Sequence, residues 1–443
     1  MTKSREVAVN TLFQVFENKA YSNIALNRNL KESNLEEKDR ALVTELVYGT
    51  IKYKYTIDKI LLKFLDKNFN KVDKYVLNLL RVSVYQLKYL DKIPDFAVVN
   101  EAVNLTKERV SKGASGLVNG VLRNYIRNKD QAFYNSENVF EKLAFMYSYP
   151  QWIIKLMVNQ YGEDVAVRIL QGLNSRPSVT VRVNSLKVSY DEALERLQAK
   201  GYDAEEGEVA AEAVRINKGS SIEANDLFRD GFITVQDESA MLVAPSMDLE
   251  KDLIVMDLCS APGGKTTHIA ELMDNTGSVK AFDIYEHKLQ LIEENVKRLG
   301  ITNVETAILD AESHEEKYVM SADRVLIDVP CSGLGIIRKK PEIKYTKKEK
   351  ELKDIVVIQR RILENAATYV KPGGILMYST CTVNKSENED NVDWFLKNHS
   401  EYESEKIYFG SRDNLLYNEK GYLTVLPDKY MDGFFIAKLR RKQ

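Results

Sequence analysis

The spacing of hydrophobic positions changes along the chain and divides the sequence into three regions with different predicted structures. In the first region, Val76, Leu80 and Leu87 recur at helical spacing within a longer apolar stripe. The first 112 residues contain one glycine and one proline, so residues that break helices are rare there. Residues 1–130 are therefore predicted to form an all-α domain.

The second region mixes two periodicities. Residues 178–184 alternate between apolar and polar positions, as a half-buried strand does, and residues 190–202 have the pattern of an amphipathic helix. Two further strand candidates follow at residues 213–217 and 231–237. This pattern predicts a small α+β domain of the RRM-like kind over residues 145–235.

The third region consists of strand–turn–helix units that begin near Leu253. Nearly continuous apolar strands that alternate with helices indicate a parallel sheet covered on both faces. Residues 236–443 are therefore predicted to form a Rossmann-like α/β domain. The predicted strands are residues 253–259, 277–284, 304–311, 323–331 and 373–380, with a closing strand at 433–441.

Charge is distributed unevenly over the 443 residues. Residues 1–130 hold 23 lysines and arginines against 15 aspartates and glutamates, a net charge of +8, whereas the remaining residues carry −10. A basic domain attached to an acidic body favours binding of a polyanion such as RNA. No apolar run is long enough for a membrane span, and no signal segment is apparent, so we expect a cytoplasmic protein without a membrane partner.

Cysteine and histidine usage narrows the chemistry. The three cysteines, Cys259, Cys331 and Cys381, do not form a disulfide framework. The four histidines lack the spacing of metal ligands, so no metal is expected. Nucleophile–base chemistry would therefore rely on cysteine, aspartate or lysine.

The segment Asp257–Thr267, D-L-C-S-A-P-G-G-K-T-T, joins the first strand of the third region to its helix. Glycines at this turn allow a ligand to approach the backbone, and Asp283, 19 residues after Gly264, ends the next strand, where a carboxylate can hold ribose hydroxyls. Cys259 occupies the first glycine position of a P-loop, and G-x-G-x-x-G is absent. The pattern therefore predicts a nucleoside-containing cofactor. It excludes a P-loop nucleoside triphosphatase and disfavours a nicotinamide dehydrogenase.

Two further motifs end the fourth and fifth strands of this region. They are D-V-P-C-S-G-L-G, with Asp328 and Cys331, and Y-S-T-C-T, with Cys381. Open α/β sheets bind their ligands at the carboxyl ends of the strands. Two cysteines at this edge, close to a carboxylate and a cofactor loop, favour a thiolate that adds to an electron-poor ring carbon.

The combination of D-V-P-C-S-G-L-G, Y-S-T-C-T and D-L-C-S-A-P-G-G-K resembles the Sun family of RNA cytosine-C5 methyltransferases. Two segments of the first region, residues 93–103 and 116–124, are similar to NusB-type RNA-binding domains. The order of a NusB-like domain, a small α+β domain and a methyltransferase domain is that of bacterial 16S rRNA methyltransferases in this family. Further similar segments are residues 231–237, 337–342, 371–374, 387–389 and 432–439.

The resemblance implies covalent catalysis with S-adenosylmethionine as the methyl donor. In this family the cysteine of the T-C motif, here Cys381, attacks C6 of cytosine, and the P-C cysteine, Cys331, assists product release. Asp328 would hydrogen-bond N3 of the ring and stabilise the charge that develops on addition. DNA cytosine methyltransferases use the P-C cysteine as nucleophile instead, so the sequence by itself leaves the two roles open.

The resemblance also implies which residues contact the cofactor, with Asp283 at the ribose, Asp310 near the adenine and Asp328 near the methionine end. Lys265 could contact either a substrate phosphate or the active-site carboxylate. Residues 337–345 are expected to add basic and aromatic groups next to the active site, although Tyr345 stands where the family often has tryptophan. The implied cofactor contacts are Cys259, Ser260, Ala261, Pro262, Gly263, Gly264, Lys265, Asp283, Asp310 and Asp328.

The expected substrate is 16S rRNA, free or partly assembled, because the target base must leave its stack to reach such a site. A monomer is expected. The alternatives are a non-catalytic RNA-binding assembly factor and a cytosine methyltransferase that acts on another RNA such as tRNA. An amino-methyltransferase is disfavoured because Val329, Pro330 and Cys331 do not match the Asn/Asp-Pro-Pro-Tyr/Phe motif of that class.

Overall fold

A computed structural model describes residues 2–129 and 136–443, which form two compact units. The predicted end of the first domain, at residue 130, lies outside the described residues. The units comprise Met1–Leu170 with Ile337–Lys347, and Gln171–Ile336 with Lys348–Gln443.

The first unit is helical, which confirms the fold class predicted for the N-terminal region. Its fourth helix begins at Asp73, whose carboxylate accepts hydrogen bonds from the backbone N–H groups of Tyr75 and Val76 and so caps the helix. None of the helices within the described residues has the length and apolar character that crossing a bilayer requires. The helices are α1 Thr2–Phe16, α2 Ser22–Glu32, α3 Glu37–Leu65, α4 Lys74–Tyr89, α5 Asp95–Arg109, α6 Lys112–Arg127, α7 Val139–Tyr147, α8 Gln151–Tyr161 and α9 Glu163–Asn174.

The glycine that stands alone in the first 112 residues, Gly49, has a packing role. It lies within α3, and a Cβ atom built there would be 2.0 Å from Cζ of Tyr85 on α4. The Tyr85 hydroxyl passes this point and donates a hydrogen bond of 2.5 Å to the carboxylate of Glu45. Glycine is therefore required at residue 49 because α3 and α4 approach each other closely there.

The second unit begins with a four-stranded antiparallel sheet, in the order β2-β3-β1-β4. The α+β prediction for this region is confirmed, but β2 was not predicted because its residues are acidic and mostly exposed. The elements are β1 Val179–Val183, α10 Tyr190–Ala199, β2 Asp203–Glu206, β3 Ala213–Lys218, α11 Asp226–Arg229 and β4 Ile233–Val235.

A larger mixed sheet follows, with the parallel strands in the order β7-β6-β5-β8-β9. Beyond β9 the sheet continues antiparallel through β13, β12 and β11, and β10 also pairs with β13. The predicted Rossmann-like sheet and its closing strand are confirmed. The elements are α12 Glu238–Met241, β5 Ile254–Asp257, α13 Gly264–Leu272, β6 Ser278–Asp283, α14 Glu286–Leu299, β7 Val304–Ile308, β8 Ala322–Asp328, α15 Ile343–Thr346 (part of the helical unit), α16 Glu349–Tyr369, β9 Val370–Thr380, α17 Glu389–Asn398, β10 Tyr402–Glu405, β11 Leu415–Tyr417, β12 Leu423–Val425 and β13 Phe434–Arg441.

The segment Ile337–Lys347 is built into the helical unit by a buried lysine. The Nζ atom of Lys344 donates to the backbone carbonyls of Lys52 and Ser148, each at 3.1 Å, and lies 3.5 Å from the ring centroid of Tyr149. Only 1 % of Lys344 is exposed, and burial lowers the pKa of its ammonium group well below the usual value. Lys344 is thus an internal anchor of the helical unit.

Two neighbours of Lys344 are held in the same unit. The carboxylate of Glu342 accepts hydrogen bonds from the backbone N–H and the hydroxyl of Ser22, at 3.1 and 2.8 Å. The Tyr345 hydroxyl accepts from the backbone N–H of Tyr55 at 3.1 Å. The expectation that this part of residues 337–345 offers free basic and aromatic groups next to the active site is therefore wrong, because packing among the helices already uses these side chains.

One buried ion pair ties the small sheet to the larger one. Arg182 on β1 is 0 % exposed and forms a bidentate pair with Glu271 on α13, at 3.0 and 2.8 Å. The same guanidinium donates to the Gly264 carbonyl at 2.7 Å and to the Thr267 hydroxyl at 3.1 Å. Arg182 therefore fixes the first turn of α13 from the neighbouring sheet.

Removing one partner of this pair leaves the other charge buried without compensation. We expect Arg182→Met to lower the free energy of unfolding by about 3–5 kcal/mol, and the double variant Arg182→Met/Glu271→Met to recover part of that loss. The exposed pair Lys251–Asp274 provides a control, since Lys251→Met should cost less than about 1 kcal/mol. Urea denaturation measures all three variants, and an Arg182→Met variant as stable as the wild type would contradict the assignment.

Candidate active site

The predicted site residues converge because adjacent parallel strands end at the same edge of the sheet. The strand order β6-β5-β8-β9 places side by side the ends that carry Asp283, Asp257, Asp328 and Thr380. Cys381 directly follows Thr380, and Cys331 lies three residues after Asp328. Carboxylates, the glycine turn and both motif cysteines therefore belong to one edge of the sheet.

The two motif cysteines are in direct contact. Their Sγ atoms are 3.3 Å apart, and both are free thiols. The hydrogen bond with Cys381, together with burial, raises the pKa of Cys331 well above its usual value. The thiol of Cys331 therefore stays protonated, and it lies within hydrogen-bonding distance of the Cys381 sulfur.

Lys265 makes an ion pair with Asp328. Its Nζ is 2.6 Å from Oδ2 of Asp328, whose Oδ1 accepts a hydrogen bond of 2.8 Å from the Ser379 hydroxyl. Burial opposes the charged form of Lys265, but the Asp328 carboxylate outweighs this effect and leaves the lysine pKa raised. Of the two roles left open for Lys265, the structure shows the contact with the active-site carboxylate.

The loop between β5 and α13 is fixed by its own backbone and by β6. Ser260 donates from its N–H to the Phe282 carbonyl at 2.9 Å and accepts from the Phe282 N–H at its hydroxyl at 2.8 Å. Gly263 caps α13 with φ +98°, and a Cβ there would lie 3.3 Å from Ile292. Glycine at this position therefore satisfies both the left-handed backbone and the close approach of α14.

The remaining loop residues are packed rather than reactive. Burial raises the pKa of the Cys259 thiol, which keeps it protonated. Ala261 packs against the apolar face of α14, and the Pro262 carbonyl accepts a hydrogen bond of 2.9 Å from the side chain of Asn295. The backbone of Ala261 and Pro262 is therefore held in place by α14.

Two further carboxylates lie at the ends of neighbouring strands. Asp283 ends β6, is nearly buried and pairs with Lys288 at 3.2 Å. Asp310 lies two residues beyond the end of β7 and accepts a hydrogen bond from the backbone N–H of Glu312 at 3.0 Å. Both carboxylates therefore lie at the carboxyl-end edge of the parallel strands.

Asp257 is the most deeply buried carboxylate of this edge. Its Oδ2 accepts a hydrogen bond of 2.7 Å from the Thr266 hydroxyl, and its Oδ1 is buried without a partner among the described residues. Burial raises the pKa of Asp257 to about 6. The sequence prediction did not assign this residue a role, although it heads the glycine motif.

The sequence analysis also missed a hydroxyl pair that joins the two cysteine loops. The hydroxyls of Ser332 and Thr382, each next to a cysteine, are 2.9 Å apart and buried. Their position directly after the motif cysteines is the signal that could have revealed them. Among the described residues, no group of three histidine, cysteine or acidic side chains is arranged to hold a metal ion.

Three family models match the chain. The model described as 16S rRNA methyltransferase RsmB/F matches residues 243–440. The NusB family model matches residues 2–127, and the model of an RsmF/B-like ferredoxin-like domain matches residues 149–223. The three matches follow one another in the order of the three predicted regions.

Curated and solved proteins are similar over comparable lengths. The Bacillus subtilis protein named probable ribosomal RNA small subunit methyltransferase B is 40 % identical, and the alignment covers 100 % of this chain and 99 % of that protein. The crystal structure of PH0851 has 28 % identity and a TM-score of 0.85, covering 100 % of this chain and 99 % of that one. A methyltransferase homolog from Pyrococcus horikoshii has 32 % identity and a TM-score of 0.61, covering 69 % and 100 %.

The raised pKa of Asp257 predicts a specific dependence of stability on pH. The folded protein holds the Asp257 proton up to about pH 6, whereas the unfolded chain releases it near pH 3.8, the ordinary pKa of an aspartate. This contribution to stability is complete below pH 3.8 and is lost as the pH rises to about 6, a difference of about 3 kcal/mol. Asp257→Asn carries no titrating group, so this loss should disappear.

Chemical denaturation at pH 4 and pH 7 measures the effect. Relative to the wild type, the free energy of unfolding of Asp257→Asn should improve by up to about 3 kcal/mol between these two pH values. Equal changes with pH in the variant and the wild type would contradict the pKa assignment.

Proposed function

The chain belongs to the RsmB/F family of 16S rRNA methyltransferases, which use S-adenosylmethionine to methylate ribosomal RNA, and we propose that its product is 5-methylcytosine in 16S rRNA. We further propose that the reaction proceeds through a covalent bond between Cys381 and the target base. The observation that carries this proposal is the contact of 3.3 Å between the two thiols, of which Cys331 follows the strand that carries Asp328 and Cys381 follows the adjacent strand. An RNA-binding assembly factor has no need of such a pair.

Cytosine requires a nucleophilic catalyst because C5 reacts poorly with electrophiles. In the proposed first step, the Cys381 thiolate forms a bond to C6, and the electron pair of the C5–C6 double bond moves through the ring to N3. N3 takes a proton from the Lys265 ammonium by way of the Asp328 carboxylate, whose Oδ2 is 2.6 Å from Nζ. The addition makes C5 nucleophilic toward the methyl donor.

Release reverses the addition. Once C5 carries the methyl group, N3 returns its proton through Asp328 to Lys265 and the C5 proton leaves to a base. The C5–C6 double bond then forms again and the C6–S bond breaks, with its electron pair returning to Cys381. We assign Cys331 to this step because it contacts the sulfur that must leave. The raised pKa of Cys331, caused by its hydrogen bond with Cys381 and by burial, supports this division, since it disfavours Cys331 as the attacking thiolate.

S-adenosylmethionine supplies an electrophilic methyl group on a positively charged sulfur. The groups at the sheet edge fit this molecule, because the carboxylate of Asp283 can accept hydrogen bonds from ribose hydroxyls and Gly263 precedes α13 without a side chain. We assign Asp310 to the adenine end and Asp328 to the methionine end, as the family resemblance implies. The loop residues 259–265 complete the proposed cofactor contacts.

The helical unit is proposed to bind the RNA. Residues 1–130 carry a net charge of +8, with 23 basic and 15 acidic residues. Within this unit, a cavity of about 310 Å³ is bordered by Arg123, Arg127 and Phe96, whose side chain is 71 % exposed. Guanidinium groups for phosphates next to an open aromatic ring for a base are a combination that suits single-stranded RNA.

The two cysteines should give opposite phenotypes. Cys381→Ala should lose both methylation and covalent RNA adduct, because it lacks the attacking sulfur. Cys331→Ala should methylate once and then stall as a protein–RNA adduct that survives denaturation. Denaturing gels with labelled 16S rRNA detect the adduct, and bisulfite sequencing detects the 5-methylcytosine made by the wild type.

The opposite pattern would assign the nucleophile to Cys331. Methylation that persists in both variants without an adduct would contradict covalent catalysis by either thiol. If 16S rRNA stays unmodified and a tRNA carries the 5-methylcytosine, the substrate assignment is wrong but the proposed chemistry stands.

Asp283 should matter for binding the cofactor rather than for attack on the base. Loss of a carboxylate that hydrogen-bonds ribose hydroxyls costs about 1.5–3 kcal/mol, so Asp283→Ala should weaken S-adenosylmethionine binding at least tenfold. Titration calorimetry measures this affinity. The exposed Asp274 gives the control variant Asp274→Ala, which should bind like the wild type, and unchanged binding by Asp283→Ala would contradict the assignment.

A further inference from the structure

Two consecutive residues after β9, Glu387 and Asn388, reach different cysteine loops. Both belong to residues 387–389, the E-N-E segment, and both are 0 % exposed. Glu387 turns toward the loop that carries Cys331, whereas Asn388 turns toward the loop that carries Cys381. Neighbouring positions in the sequence thus serve the two thiols separately.

Glu387 holds the residue that follows Cys331. Its Oε2 accepts a hydrogen bond from the backbone N–H of Ser332 at 2.8 Å, and its Oε1 accepts from the Ser332 hydroxyl at 2.5 Å. The side chain of Asn384 donates a further hydrogen bond to Oε1 at 2.9 Å. These donors compensate the carboxylate for its burial and fix the backbone immediately after Cys331.

Gln359 on α16 holds the residue that precedes Cys331. Its side-chain nitrogen donates to the Pro330 carbonyl at 3.0 Å and to Oε2 of Glu387 at 3.1 Å. The side-chain oxygen of Gln359 accepts from Asn391 at 2.8 Å, which sets the orientation of the amide. Glu387 and Gln359, which are hydrogen-bonded to each other, therefore hold the backbone on both sides of Cys331.

Asn388 holds the residues on both sides of the other cysteine, Cys381. Its Oδ1 accepts a hydrogen bond from the Thr380 hydroxyl at 2.6 Å, and its Nδ2 donates to the Thr382 carbonyl at 3.0 Å. Thr380 and Thr382 flank Cys381 directly. One amide thus spans the nucleophile loop and fixes where the Cys381 sulfur can lie.

We propose that Glu387 and Asn388 are positioning residues for different thiols, Glu387 mainly for Cys331 and Asn388 mainly for Cys381, within one hydrogen-bonded network that also contains the Ser332–Thr382 hydroxyl pair. This inference rests on the proposed covalent mechanism and extends it to residues that touch neither substrate nor cofactor. Displacement of a reacting group by about 1 Å can reduce a rate about a hundredfold. Loss of Glu387 therefore impairs release, and loss of Asn388 impairs attack.

Isosteric variants test the division. Glu387→Gln presents an amide N–H₂ group to donors that need an acceptor, and Asn388→Asp places an oxygen against the Thr382 carbonyl. We expect Glu387→Gln to accumulate at least tenfold more denaturation-resistant RNA adduct than the wild type, with near-normal methylation in a single turnover. Asn388→Asp should lose at least tenfold in both adduct formation and single-turnover methylation.

Glu389, the last residue of the E-N-E segment, supplies the matched control. Its carboxylate accepts a hydrogen bond of 3.1 Å from the Thr424 hydroxyl on β12 and so belongs to a different contact. Glu389→Gln should therefore show wild-type adduct and methylation levels. Circular dichroism melts establish that each variant is folded, and Gln359→Leu replaces Glu387→Gln if the latter is not, with the same expected accumulation of adduct.

The outcomes separate this inference from the proposed function. A wild-type protein that forms neither 5-methylcytosine nor a Cys331→Ala adduct overturns the proposed function itself. If the wild type methylates but the Glu387 and Asn388 variants lose adduct and methylation in parallel, the proposed division between the two residues is wrong. Identical slowing of every step would also overturn it, because that is the effect of a purely structural role.

Discussion

The parallel pairing of β8 with β9 is the constraint on which the site depends. Their register sets Asp328 beside Ser379, so the two loops that follow leave the sheet next to each other. The thiols of Cys331 and Cys381 come within 3.3 Å although 50 residues separate them in the chain. A shift of this register would separate the thiols and would also break the hydrogen bond that orients Asp328.

Much of this arrangement could be predicted from sequence because it depends on local pattern. The strands are long apolar runs, and each motif directly follows one of them, so the positions of Cys331, Cys381 and Asp283 follow from fold class. The strands β2 and β10–β12 escaped prediction because they are short, and β2 is also mostly polar and exposed.

The interactions that could not be predicted join residues that are distant in sequence and lack a periodic signal. Arg182 stands in an ordinary alternating strand, and only the fold shows that Glu271 meets it 89 residues later. Glu387 likewise accepts a hydrogen bond from Ser332, which lies 55 residues earlier in the chain. For Lys265, the sequence allowed a phosphate or a carboxylate, and the pairing of β8 beside β5 placed Asp328 within its reach.

The position of Ile337–Lys347 in the helical unit has a consequence for how the protein is made. The carbonyls of Lys52 and Ser148 accept hydrogen bonds from the ammonium of Lys344. The ribosome adds Lys344 only after roughly three quarters of the chain. The N-terminal helices therefore emerge first but complete their packing late, after the strand that bears Asp328 has been translated. The packing of the N-terminal unit is thus completed by a segment that is translated after the first strands of the large sheet.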